Sequence, residues 1–340
     1  MRALVNPAYR PSAVPAPVDD AAAFHASLPG YAPTPVRELG ALGGLGSVLV
    51  KDESGRLGLP AFKVLGASWA IERALRERPD VHTLVAASAG NHGRAVAHEA
   101  RRRGLAARVF LPARSLAARR EAIAGEGADV VVVDGTYEEA VALAAREGAL
   151  PGRLEIADVG AAGPALWVID GYATLFAEAA RQAQFDVLLV PIGVGSLAAA
   201  AARFAASAGM PVIGVEPVTA ACLTASLRAG EPTAVPTPGT TMAGLDCAEV
   251  SAGAWPVLRD GILGTVTVSD EEVAAAMREL EAHGLAIGES GAAPLAALRV
   301  LEREPGASAL RDAAGIGPAT RALLVATEGR TGSYPPGVVS

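Results

Sequence analysis

Lysine is almost missing from this 340-residue chain: only Lys51 and Lys63 stand among its 29 basic residues. Arginine stays protonated at any accessible pH, because its pKa lies above about 12. A task that needs a neutral primary amine therefore falls to one of these two side chains. A coding bias toward arginine produces the same scarcity, and the 38 glycines and 24 prolines agree with such a bias. Cysteine is equally rare. Cys222 and Cys247 build neither a disulfide framework nor a metal-spaced cluster, so the cytoplasm is the expected compartment. His25, His82, His98 and His283 are scattered, no pair has metal spacing, and no metal site is expected. Excess positive charge is absent too. A net charge of −7 without a basic run argues against nucleic acid or an anionic membrane surface as partner. The cluster Arg101-Arg102-Arg103 ends an expected helix, where cations suit the dipole. No secretory leader is expected, since prolines break the first residues. Long apolar runs are lacking as well. Residues 187–202 carry no charge, but Pro191, Gly193 and Gly195 divide them into strand, loop and helix rather than a membrane span.

What the chain does hold is alternation. Short β-branched runs such as Ser47-Val48-Leu49-Val50, Thr83-Leu84-Val85-Ala86-Ala87 and Val187-Leu188-Leu189-Val190 alternate with stretches of helical period. That order implies an α/β fold with mostly parallel sheets, right-handed crossovers and helices on both faces. Two three-layer α/β/α domains suit the length, with a ligand near the strand C-termini. Residues 1–36 read as irregular apart from one short helix at Asp19 to Ser27, 230–262 as loop-rich, and 305–320 as a solvent loop. A helix is expected over 62–78, ended by Pro79.

Four loops after expected strands can carry chemistry. The first holds Ala61-Phe62-Lys63. The second, Ser88-Ala89-Gly90-Asn91-His92-Gly93, has small residues and amides that open a helix, which suit a carboxylate, or it is a glycine turn with a capping Asn. His92 is expected to point away from Asn91. The third, Gly193-Val194-Gly195-Ser196-Leu197, suits a single phosphate, or is an ordinary tight turn. It lacks the Lys of a Walker A loop and the third glycine of a dinucleotide fingerprint. The fourth runs from Ala326 to Gly332 and holds Thr327, whose hydroxyl can bond a pyridine nitrogen without protonating it. Gly288-Glu289-Ser290-Gly291-Ala292 either supports the same ring or caps a helix. Asp158, Asp170 and Glu216 lie by apolar runs, and Asp158 precedes a glycine-bearing loop.

Taken together and in this order, these segments resemble pyridoxal-phosphate enzymes of fold type II, the tryptophan-synthase-β type. Trp167-Val168-Ile169-Asp170-Gly171-Tyr172, Thr241-Met242-Ala243-Gly244-Leu245-Asp246-Cys247 and Thr327-Glu328-Gly329 extend the likeness to the diaminopropionate ammonia-lyase family. The resemblance implies pyridoxal 5'-phosphate covalently held by Lys63, with Asn91 at the ring hydroxyl, the Gly193-Val194-Gly195-Ser196-Leu197 turn at the phosphate and Thr327 at the ring nitrogen. It implies a substrate carboxylate at Ser88, Ala89, Gly90 and Asn91, and an acidic group, Asp158, near the substrate. It also implies a large cofactor-binding domain from residues 1–50 and 176–340, a small, mobile, substrate-gating domain from 51–175, and a homodimer. The implied reaction is α,β-elimination on a small amino acid, 2,3-diaminopropionate foremost, with Lys63 taking the α-proton and Asp158 or Lys63 protonating the leaving group. A serine/threonine-type dehydratase, a β-replacement enzyme of the same fold and a non-catalytic α/β binding module are the alternatives. Two departures stand out. The family places Asp where this chain has Ala89, which predicts a preference for the L-isomer, and acidic residues where it has Arg330 and Gly332.

Overall fold

The computed structural model describes residues 2–330 apart from 19, 43 and 114, so Gly332 lies outside the described residues. The chain opens on β1 (Ala3–Val5), α1 (Asp20–Ala26), β2 (Val36–Gly40) and β3 (Ser47–Asp52). It continues through α2 (Lys63–Glu77), β4 (Thr83–Ala87), α3 (Asn91–Arg102), β5 (Ala106–Pro112), α4 (Ala117–Ala124), β6 (Asp129–Val133), α5 (Tyr137–Gly148), β7 (Arg153–Glu155) and α6 (Pro164–Gln182). The last part holds β8 (Val187–Pro191), α7 (Ser196–Ala206), β9 (Val212–Pro217), α8 (Cys222–Ala229), α9 (Trp255–Gly261), β10 (Gly264–Val268), α10 (Asp270–Ala282), α11 (Glu289–Arg303), α12 (Ser308–Ala313) and β11 (Arg321–Ala326). Two compact units result, residues 2–62 with 172–330, and residues 63–171.

The first unit is built on a seven-stranded sheet of order β1-β10-β9-β8-β11-β3-β2. Its two outermost strands pair antiparallel and the rest pair parallel. The central strands are covered on both faces, which is why Val187, Leu188, Leu189 and Val190 are all buried without alternation. Val48, Leu189, Ile213 and Leu324 share one core with the apolar face of α11, including Leu295 and Leu298. The second unit is a four-stranded, wholly parallel sheet of order β6-β5-β4-β7. Thus β7 lies beside β4, although β5 and β6 intervene in the chain. Within this unit α6 approaches α2 closely at Gly171. A Cβ there would lie 2.7 Å from the Leu65 carbonyl oxygen and 2.8 Å from the Gly66 Cα.

The expected alternation is present, and the α/β class with mostly parallel sheets holds. The short helix expected within residues 1–36 is α1, and the three stretches otherwise read as loops contain further elements. β1 and β2 are edge strands whose order comes from pairing with β10 and β3, not from a period of their own. α9 carries Pro at its first turn, a start signal inside a region otherwise dominated by loop residues. α12 has six residues, too few to display a helical period. Among the described residues no helix is long and apolar enough to cross a membrane.

The two lysines meet different fates. Lys51, on β3, is wholly buried and donates to Glu178 at 2.7 Å and to the Thr34 carbonyl at 2.6 Å. Glu178 also accepts two bonds from Arg56, each 2.7 Å, and Arg56 in turn grips Glu53. Burial pulls the Lys51 amine below its ordinary value, against the opposing charges of Glu53 and Glu178. Lys51 is thus part of a neutral, sealed ion cluster, and the chemistry is left to Lys63.

Candidate active site

Lys63 is the first residue of α2. The segment before it is extended: Ala61 pairs with Glu328, and the Phe62 amide donates to the Thr327 carbonyl at 3.2 Å. Beyond it Val64, Leu65, Ala67 and Ile71 bury the face of the helix. Lys63 Nζ lies 2.8 Å from Asp158 Oδ2, and both side chains are largely enclosed. Asp158 follows β7, and His92 sits in the first turn of α3, which follows β4. Parallel pairing of β4 with β7, with Val85 opposite Glu155, brings the exits of both strands to one edge. There His92 Nε2 lies 2.7 Å from the Ile156 carbonyl, and Nδ1 lies 3.9 Å from Asp158 Oδ2. His92 therefore belongs with Lys63 and Asp158, contrary to its expected role as a bystander. Chain spacing gave no signal for this, because neighbouring strands and not local sequence make the contact.

Burial opposes charge on Asp158, but the charge of Lys63 and the hydrogen bond from it outweigh that cost and hold the carboxyl well below the usual range. Burial also pushes His92 down, partly countered by Asp158, so the ring is neutral near pH 7. The Lys63 ammonium is then the charge that keeps Asp158 ionised. A carboxyl so held accepts protons poorly and has none to give. Asp158 stands here as the hydrogen-bond acceptor of Lys63.

The Ser88-Ala89-Gly90-Asn91 loop opens α3 with Gly90 at the cap, and no side chain caps the helix. Gly90 donates its amide to Ser88 Oγ at 3.2 Å. The turn is tight: a Cβ at Gly93 would sit 2.2 Å from the Ser88 carbonyl oxygen. First-turn amides beside such a cap form an anion site. Ala89 brings no polar group to it.

The Gly193-Val194-Gly195-Ser196-Leu197 turn, in the other unit, joins β8 to α7. Gly195 caps α7 with φ +93° and without a side-chain cap bond. A Cβ on Gly195 would meet Leu258 at 2.4 Å, and one on Gly193 would meet the Gly244 carbonyl at 2.6 Å. Only glycine fits either position. The Val194 carbonyl accepts from Ser251 at 2.8 Å, which fixes the turn. In the same unit Thr327 follows β11. It is buried, and its Oγ1 has no hydrogen-bond partner among the described residues. Glu328 accepts from the Ser290 amide at 3.3 Å, and Ser290 Oγ accepts from the Gly244 amide at 3.2 Å. The Gly288 segment thus both caps α11 and braces the residue after Thr327.

Of the other acids noted in the sequence, Asp170 lies inside α6 and Glu216 on β9. Glu216 is fully buried, and burial pushes it up to about 7 despite bonds from Thr224 and Leu223. A carboxyl raised on folding weakens the fold as pH climbs from its unfolded to its folded pKa. At about 1.4 kcal/mol per unit, the full penalty above neutrality is on the order of 3–4 kcal/mol. Urea unfolding of wild type and Glu216→Gln at pH 5 and pH 8 should show the stability difference moving toward the variant at pH 8. An unchanged difference would contradict the assignment.

The family described as Pyridoxal-phosphate dependent enzyme matches residues 27–327. The chain is 34% identical to the diaminopropionate ammonia-lyase of Salmonella typhimurium, over 91% of this chain and 88% of that protein. It is 32% identical to the biosynthetic L-threonine dehydratase of Escherichia coli, over 74% of this chain and 49% of that enzyme. The crystal structure of Escherichia coli diaminopropionate ammonia-lyase with an aminoacrylate-PLP azomethine reaction intermediate superimposes with a TM-score of 0.88 at 30% identity, covering 97% of this chain and 94% of that one.

Proposed function

The chain belongs to the pyridoxal-phosphate dependent enzymes, and on that premise we propose that it is an ammonia-lyase carrying out α,β-elimination on 2,3-diaminopropionate, L-isomer preferred, to pyruvate and ammonia. The observation that carries this is Lys63 Nζ held 2.8 Å from the ionised carboxylate of Asp158 in an enclosed setting. An amine and an anionic acceptor side by side suit a substrate that has both an acidic α-hydrogen and a second, cationic nitrogen.

The residues present fit the cofactor. Thr327 offers a buried hydroxyl that the protein itself leaves unbonded, as a pyridine nitrogen requires. Gly193, Val194, Gly195, Ser196 and Leu197 offer a side-chain-free helix opening, as a phosphate dianion requires. Lys63 would hold the aldehyde carbon and Asn91 the ring hydroxyl. When bound, the cofactor supplies a conjugated ring that stores the electron pair left on the α carbon. The Thr327 hydroxyl would bond the ring nitrogen without protonating it, which would favour elimination over transamination. Ser88, Ala89, Gly90 and Asn91 orient the substrate carboxylate. Once the cationic nitrogen of the substrate replaces Lys63 at Asp158, the Lys63 amine, relieved of its ion pair and deprotonated, takes the α-proton. By the same reading the protein works in the cytoplasm as a homodimer, on a small amino acid and with no metal.

Pyruvate release from a panel of β-substituted amino acids tests the reading. L-2,3-diaminopropionate should react fastest, with two ammonia for each pyruvate. The D-isomer should react poorly, because Ala89 supplies no proton acceptor on that face. Faster release from L-serine would make the enzyme a dehydratase, and rapid turnover of the D-isomer would defeat the argument from Ala89.

A further inference from the structure

His92 has one nitrogen satisfied and the other bare. A carbonyl oxygen only accepts, so the 2.7 Å contact with Ile156 puts the ring proton on Nε2. The neutral ring has no second proton, and Nδ1 is a lone pair. It is buried and without a hydrogen-bond partner among the described residues. Most buried polar atoms are bonded, so such an atom asks for a donor. Asp158 Oδ2, 3.9 Å away, is another acceptor. That separation is too long for a direct hydrogen bond. Since each N–H contact spans about 2.7–3.2 Å, however, a single nitrogen placed between them reaches both. Asp158 already shows which donor it takes, for it holds the ammonium of Lys63.

We propose that His92 is a specificity-determining residue, its unprotonated Nδ1 and Asp158 Oδ2 together clasping the ammonium on the β carbon of a diamino acid. The proposal rests on the ammonia-lyase reading above. It also accounts for the chemistry of departure. The bond between the β carbon and nitrogen breaks, and its electron pair stays on the nitrogen. Because that nitrogen is already fully protonated, it leaves as neutral ammonia. The electron pair of the α C–H bond becomes the new carbon–carbon double bond, and the α-proton goes to the Lys63 amine. No acid is needed. A β-hydroxyl, by contrast, needs a proton to depart as water, and the clasp offers two acceptors and no donor. His92 and Asp158 thereby favour an amino over a hydroxyl leaving group.

His92→Gln separates this from a structural role. The Gln amide still donates to the Ile156 carbonyl, while the acceptor at the Nδ1 position is lost. In the holoenzyme kcat/KM for L-2,3-diaminopropionate should fall about ten- to a hundredfold, the cost of one hydrogen bond to a charged group. For β-chloroalanine, whose chloride leaves without needing an acceptor, the fall should be no more than about threefold. Absorbance titration should give cofactor affinity within about twofold of wild type. Nitrogen-15 histidine spectra of the wild-type protein should show a neutral ring protonated on Nε2. Equal losses on both substrates, an unchanged rate with diaminopropionate, or a protonated Nδ1 would each overturn the proposal. If the wild-type enzyme itself prefers L-serine, it is the ammonia-lyase reading that fails.

Discussion

Lys63→Ala leaves the purified protein colourless and lowers pyruvate formation by at least about a thousandfold, the scale of a lost general base combined with a lost nucleophile. No other side chain of the chain can take over. The only other lysine, Lys51, is sealed in a cluster with Glu178 and the Thr34 carbonyl. An arginine would not lose its proton at any pH where the protein is folded. Absorbance near the visible edge, with and without added pyridoxal phosphate, reads the covalent link directly, and a coupled pyruvate assay reads the reaction. Small primary amines added to the variant should restore part of the rate, since the missing group is an amine on a short tether. A variant that stays yellow and active would remove the premise on which the function rests.

Glu178→Ala has the largest expected effect on stability, a loss of about 3–5 kcal/mol. Glu178 is the hub of the buried cluster. Its two oxygens accept from Lys51, from Arg56 and from the Tyr31 hydroxyl, the last at 2.6 Å. Lys51 and Arg56 carry two positive charges, which Glu53 and Glu178 balance. Removing one carboxylate leaves an uncompensated cation in a wholly enclosed site. Breaking such a pair costs more than the pair contributes, because desolvation of the survivor is no longer offset. Denaturant unfolding of the holoenzyme measures the loss. Lys51→Met should cost less, since Glu178 keeps its bidentate partner Arg56. A loss below about 1 kcal/mol for Glu178→Ala would place the cluster among surface-like pairs.

Much of this was legible in the sequence, for identifiable reasons. The central strands are covered on both faces, so unbroken apolar runs such as Val187 to Val190 announce a parallel sheet. The glycines of the Gly193 turn mark a place where no side chain fits, and a rare lysine marked the amine. Illegible features depended on neighbours that are distant in the chain. β1 and β2 are ordered by the strands they pair with. His92 joins Asp158 only because β7 inserts beside β4, and no spacing rule encodes that order. The Ala61-Phe62-Lys63 segment already points to Lys63 as the reactive amine, and the ion pair with Glu178, on α6, gives Lys51 its structural role. Residue rarity thus singles out two amines, the segment around Lys63 picks the reactive one, and the folded surroundings show what holds the other.

The bare backbone at Gly171 carries a consequence for variation in this enzyme. It lets two helices touch where α2 begins, a turn away from the amine. An alanine there has nowhere to go except against Leu65 and Gly66, so it must wedge the helix that bears Lys63. Inactivating alleles are therefore to be sought at a position with no functional group, where every reactive side chain remains intact and only its aim is spoiled.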